Sequence, residues 1–171
     1  MTPERELLTH QEDTINISYH QDNVLEGRIL SNLAPTPFIL DGKEYASIEG
    51  FWQGLYFPED STEREDLSHM FGRKAKVKGL EKPEGLEDIT YQGDKIVIGS
   101  LAHQALMRQA LEAKIDQNED VKVALLSTGN KTLTHILKRP DGTLDPDSRS
   151  IPAHIFTGML MQIREKLREG K

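Results

Sequence analysis

The chain has 171 residues, 36% hydrophobic and 29% charged, with a formal net charge of −7 and a pI of about 5.4. This length and composition suit one globular domain and exclude wholesale disorder, while the acidity disfavours binding along a bare phosphate backbone over a broad surface. It has no cysteine, which removes disulfides, thiolate nucleophiles and thiolate zinc sites from consideration.

The first stretch, "MTPERELLTHQEDT", is charged and has no apolar h-region, so no secretory signal is expected. No run approaches the ~18 apolar residues of a membrane span, and a cytoplasmic location is the simplest expectation. Residues 1–13 read as a polar arm and residues 14–171 as the domain. "TINISY" alternates Ile15, Ile17 and Tyr19 with polar neighbours, the period of a half-buried strand. Pro35 and Pro37 forbid a helix just before "FILDGKEY", which reads as a hairpin turning on Asp41-Gly42. Ser47 then caps a helix.

Further along, "TERE" offers Thr62 and Glu65 as a capping box for a helix running to about Phe71 and stopping at Gly72. "GRKAKVKGLEKPEG" reads as a basic loop or short helix, and "DITYQGDKIVI" as irregular or short extended structure. A long helix is expected from about Ser100 to Asp116, with Leu106, Met107, Ala110 and Leu111 at helical spacing. Asn118 caps the next helix and Gly129 ends it. "TLTHIL" follows as an extended segment, and "KRPDGTLDPDSRSIP" as a long loop of the kind that is often functional. A final helix sets Phe156, Leu160, Ile163 and Leu167 on one stripe. The class expected is α+β, mainly helical, with short antiparallel strands in a single compact domain.

The helix after Ser47 carries the most chemistry. At ~100° per residue, Ile48, Phe51, Trp52 and Leu55 form an apolar stripe, while Glu49, Gln53 and Tyr56 fall together at its border. A carboxylate on such a border is partly desolvated yet reachable, a position suited to acid–base work. The alternative is that Glu49 merely complements the helix dipole in the first turn.

Taken in order, Ser31, Asn32, Leu33, Pro37, Phe38, Asp41, Gly42, Lys43, Tyr45, Ser47, Ile48, Glu49, Phe51, Trp52 and Gln53 resemble the signature of the NADAR (YbiA-like) family. Gly72, Arg73 and Lys76 in "FGRKAK" look like its Gly-Arg segment. "LMRQALEAKIDQNEDVKVALLSTGNKTL" and "GMLMQIREKL" are similar to its later blocks, so that the resemblance spans roughly residues 14–168. It implies a YbiA-like domain and N-glycosidase chemistry: cleavage of a ribose–nitrogen bond, either to remove ADP-ribose from guanine, free or carried in nucleic acid, or to act on a ribosylamino nucleotide. Neither a cofactor nor a metal is implied. Glu49 would be the central catalytic group, stabilising positive charge on the sugar or activating water. Ser31 and Asn32 would bind ribose or base. Arg28, Arg73 and Lys76 would neutralise phosphates, although the basic run also reads as a solvated loop. Gln53, Tyr56 and Gly72 complete the ligand-binding set.

Three positions depart from the family pattern. Tyr56 stands where a lysine is usual, Gly99 where a tryptophan is usual, and His135 where an acid is usual. His135 is either a hydrogen-bonded interior histidine or a substituted acid–base group. Asp141, or alternatively Asp145, matches the family's loop acid; both also suit ordinary turns. The departures leave open a second reading, a catalytically impaired module that binds ADP-ribose- or NAD-like nucleotides.

Overall fold

Alternating apolar residues, well-placed turn formers and helix caps fold the chain into short strands joined by helices, the α+β class. The computed structural model describes residues 13–136 and 151–170. The expected arm, save Asp13, and the loop acids Asp141 and Asp145 lie outside the described residues. The chain groups into two compact units, one formed by its two ends, up to Ser31 and from Val123, and one formed by Asn32–Lys122.

In the unit formed by the two ends, β1 (Thr14–Asn16) pairs with β6 (Thr132–Thr134). The pairing is parallel, with Ile15 opposite Leu133, which corrects the expectation of antiparallel strands at this point. Parallel pairing requires the two strands to be far apart in the chain, a relation that local periodicity does not report. The expected extension to Tyr19 also fails as a strand, although Ile17, just beyond β1, donates its N–H to Thr134 O at 2.7 Å. A short helix, α1 (Leu25–Ile29), follows. The last helix, α7 (Ala153–Arg168), buries Phe156, Leu160 and Ile163 of the expected stripe, leaves Leu167 half-buried, and packs on β6. It also buries Arg164, whose guanidinium donates to Thr128 Oγ1 at 2.8 Å and to Lys131 O at 2.9 Å.

In the unit Asn32–Lys122, β2 (Phe38–Leu40) and β3 (Lys43–Tyr45) form the expected hairpin. Its turn residues Asp41 and Gly42 have φ of 49° and 80°, both in the left-handed region a two-residue hairpin needs. The rings of Phe38, Tyr45 and Phe51 meet behind it at centroid distances of 4.9–6.1 Å.

Ser47 caps α2 (Ile48–Gly54): its hydroxyl accepts from Gly50 N at 3.0 Å and donates to Met70 O at 2.8 Å. The next helix, α3 (Thr62–Ser68), is capped by Ser61, which accepts from Arg64 N at 3.2 Å, so a single cap one residue earlier takes the place of the expected Thr62–Glu65 capping box. Thr62 is the first helical residue, and Glu65 pairs with Lys43 and His69 instead of reaching back. The helix also ends at Ser68 rather than near Phe71, because a separate helix, α4 (Gly72–Gly79), takes up the basic segment.

"DITYQGDKIV" is a second hairpin, β4 (Asp88–Tyr91) with β5 (Asp94–Val97), turning on Gln92 and Gly93 at φ of 50° and 83°. The long helix α5 (Leu101–Gln117) begins at its Ser100 cap. Its last residue, Gln117, uses its side-chain amide as a strand would, accepting from Ile39 N at 2.7 Å and donating to Ile39 O at 2.8 Å. Asn118 donates to Pro37 O and Lys114 O, thus finishing α5 before α6 (Glu119–Ser127) starts. No helix among the described residues is long and apolar enough to cross a membrane.

Candidate functional site

The helix α2 sorts its residues as the wheel predicts. Ile48, Phe51, Trp52 and Leu55 are buried, while Glu49, Gln53 and Tyr56 are each half-buried. The three border residues therefore form a polar seam on an apolar helix.

The seam is ordered. Gln53 Nε2 donates to Glu49 Oε1 at 3.0 Å, and Gln53 Oε1 accepts from Lys82 Nζ at 3.1 Å. The same ammonium stands 4.9 Å from the centroid of the Tyr56 ring, within cation–π range. Lys82 thus brings a positive charge to a seam where the sequence pattern has lost a lysine at position 56. The sequence reading did not single out Lys82; three residues past the end of α4, its position depends on tertiary packing.

Two backbone bonds tie the Asn32-Leu33 turn to α2 and to the first residue of α4. Glu49 N donates to Asn32 O at 2.8 Å, and Gly72 N to Leu33 O at 2.7 Å. Gly72 has a φ of +65°, a conformation that glycine adopts without strain. The backbone around Asn32, Glu49 and Gly72 is thereby brought together. The side-chain Oδ1 of Asn32 is buried and has no hydrogen-bond partner among the described residues. An acceptor left so costs stability, and a ligand donor would satisfy it.

Arg73 and Lys76 are exposed on α4, which packs on α2, and neither forms an ion pair among the described residues. Both remain available to an anion. A polar hollow of about 190 Å³ lies elsewhere in this unit, lined by residues that include Asp41, Lys43, Arg64 and Tyr91. Glu49 is not part of that lining, so the seam is defined by its hydrogen bonds and not by that concavity.

Behind the seam, Trp52 stacks on His103, with centroids 4.0 Å apart and planes 8° from parallel. Burial holds the His103 imidazole down to about 4, so it is neutral at neutral pH. Its Nδ1 accepts from Gly99 N at 3.0 Å, which leaves the proton on the buried Nε2. Gly99, where the family pattern has a tryptophan, therefore contributes a backbone donor that orients this histidine. Trp52 is a core residue, as its place on the apolar stripe predicts.

Arg28, Ser31 and His135 belong to the unit formed by the chain's two ends. Arg28 lies over the Tyr19 ring at 5.9 Å, with its Nε buried and unpartnered among the described residues. Ser31 is buried. His135 Nδ1 meets Ile17 O at 2.7 Å, and its ring lies edge-on to Phe156 at 5.1 Å. His135 is half-buried, and with Ile17 O as acceptor its Nδ1 is the donor.

The fold is that of a YbiA-like α+β protein. The NMR structure of the E. coli protein YbiA is similar to this chain with a TM-score of 0.61 and 23% identity, covering 92% of this chain and 86% of that one. The profile of the family described as bacteriophage protein GP30.3 matches residues 25–165, and the chain belongs to that family. The family shown thus carries the phage GP30.3 description and not the NADAR name to which the motifs point. No curated protein matches the chain.

Proposed function

We propose that this chain is an N-glycosidase-type hydrolase that cleaves a ribose–nitrogen bond, with ADP-ribose attached to guanine as the favoured substrate and a ribosylamino nucleotide as the related one. The observation that carries this reading is the half-buried Glu49 carboxylate, held at 3.0 Å by the Gln53 amide on the border of an apolar helix. The NADAR-like motifs around it and the YbiA-like fold support it.

In the proposed reaction the bond from the anomeric carbon to nitrogen breaks with its electron pair leaving on the base. Positive charge develops on the sugar, and Glu49 stabilises it or takes the proton of the water that adds to the anomeric carbon. A proton reaches the departing nitrogen from solvent or from a group in the loop that holds Asp141. Arg73 and Lys76 would hold the phosphates of the nucleotide, and Asn32 would accept a hydrogen bond from ribose or base. No cofactor or metal enters this scheme.

One specific feature favours a second reading. Tyr56 occupies the position of the usual family lysine, and a phenol cannot attack an opened sugar as an amine can. On that reading the protein binds ADP-ribose-like nucleotides without turning them over. Incubation of the wild-type protein with ADP-ribosylated guanosine separates the two. Release of guanosine supports the hydrolase; calorimetric binding without product supports the module; neither signal contradicts both.

A further inference from the structure

We infer that Lys82 and Gly79 are positioning residues for Glu49, acting through a one-way hydrogen-bond relay that runs from Lys82 to Gln53 to Glu49. An ammonium group donates and never accepts. Lys82 Nζ, 3.1 Å from the Gln53 amide, therefore requires the amide oxygen to face it. The NH2 of the same amide must then point the other way, and it meets Glu49 Oε1 at 3.0 Å. Without Lys82 the amide oxygen loses this donor, and the side chain is held at its far end by the carboxylate alone. A carboxyl oxygen accepts, so the relay ends on Glu49 as acceptor.

The second observation is the close approach of Gly79 to Gln53. A Cβ built on Gly79 would lie 2.6 Å from Gln53 Cγ and 2.7 Å from both Cδ and Oε1. Only a residue without a side chain allows the end of α4 to press on this amide. The turn that makes the contact also carries the lysine, since Lys82 N donates to Gly79 O at 3.2 Å. Gly79 thus confines Gln53, while Lys82 orients it. Lys82 further rests on the Tyr56 ring at 4.9 Å, which fixes the ammonium from a third direction.

The consequence for turnover rests on Glu49 being the reacting carboxylate; the relay itself does not. The test combines Lys82→Met, Lys82→Arg and Gly79→Ala with two readouts: the NMR resonances and solvent exchange of the Gln53 side-chain amide, and kcat and KM for ADP-ribosylated guanosine. Lys82→Met should shift the Gln53 NH2 resonances and speed their exchange, and lower kcat about tenfold or more with KM within about threefold. Lys82→Arg, which still donates, should restore both to near wild type. Gly79→Ala should disturb the same amide by contact while leaving the charge in place. An unchanged Gln53 amide in Lys82→Met overturns the relay, whether or not kcat falls. If the wild-type protein releases no guanosine, the hydrolase reading fails, and the amide spectrum alone decides the relay.

Discussion

The indole of Trp52 and the imidazole of His103 lie face to face, centroids 4.0 Å apart, with the histidine fully buried and neutral. This stack makes the stability of the core depend on pH. Burial lowers His103 to about 4 in the folded protein, against about 6.5 in an unfolded chain. As pH falls below about 6.5 the unfolded chain takes up the proton first, so the stability present above that pH is lost progressively towards pH 4. The loss approaches about 3 kcal/mol. Urea unfolding of the wild type and of His103→Phe at pH 7, 5.5 and 4.5 checks this. The variant keeps a ring against Trp52 and should lose that share of the pH dependence, while giving up about 1 kcal/mol at pH 7 for the stranded Gly99 N–H. Parallel pH dependence in the two proteins would contradict it.

Gly50 fixes how closely α2 and α3 approach. A Cβ there would lie 2.2 Å from Leu67 O and 2.8 Å from Met70 O, both backbone atoms that cannot swing aside. Gly50→Ala should therefore destabilise the protein by about 2 kcal/mol or more, despite alanine's better helix propensity. A change in unfolding free energy below about 0.5 kcal/mol would show that the two helices separate cheaply.

Arg164 is a buried cation with two uncharged partners, the Thr128 hydroxyl and the Lys131 carbonyl. It ties α7 to the end of α6 and the start of β6 within one unit. Arg164→Met fills the space but leaves both acceptors without their donor, so a loss of about 2–4 kcal/mol is expected. Chemical denaturation measures it, and full stability in the variant would assign the packing to the aliphatic stem alone.

Much of this arrangement is legible in the sequence where neighbours in the chain decide the outcome. The Asp41-Gly42 turn, the Ser47 cap and the Ile48/Phe51/Trp52/Leu55 stripe follow from local sterics and helical period. The polar border of Glu49, Gln53 and Tyr56 follows from the same wheel. "DITYQGDKIV" is less legible because Gln92 carries the positive φ usually given to Asn, Asp or Gly, which hides a two-residue turn. The parallel partner of β1 lies more than a hundred residues away, and Lys82 reaches Gln53 across 29 residues, so neither relation has a local signature. At the start of α3, Ser61 and Thr62 are both good caps by type, and Ser61 is the residue whose hydroxyl meets Arg64 N.

Arg73 and Lys76 test the phosphate part of the proposed function. Both are exposed and outside the relay. Replacing both by alanine should raise KM for an ADP-ribosylated substrate about tenfold and leave kcat within about twofold, because the change removes binding common to ground and transition states. Added salt should weaken wild-type binding in the same direction. Unchanged KM in the double variant would return the two cations to the role of a solvated helix face.

The central claim is that the carboxylate of Glu49 performs chemistry and does not merely complement the first turn of α2. Glu49→Gln keeps the shape of the side chain and removes its charge. Single-turnover assays with ADP-ribosylated guanosine, paired with calorimetric binding, should show the rate falling by at least about a hundredfold while affinity stays within about tenfold, or ~1.4 kcal/mol. Wild-type turnover by Glu49→Gln would contradict the account and leave Glu49 as a helix-capping charge.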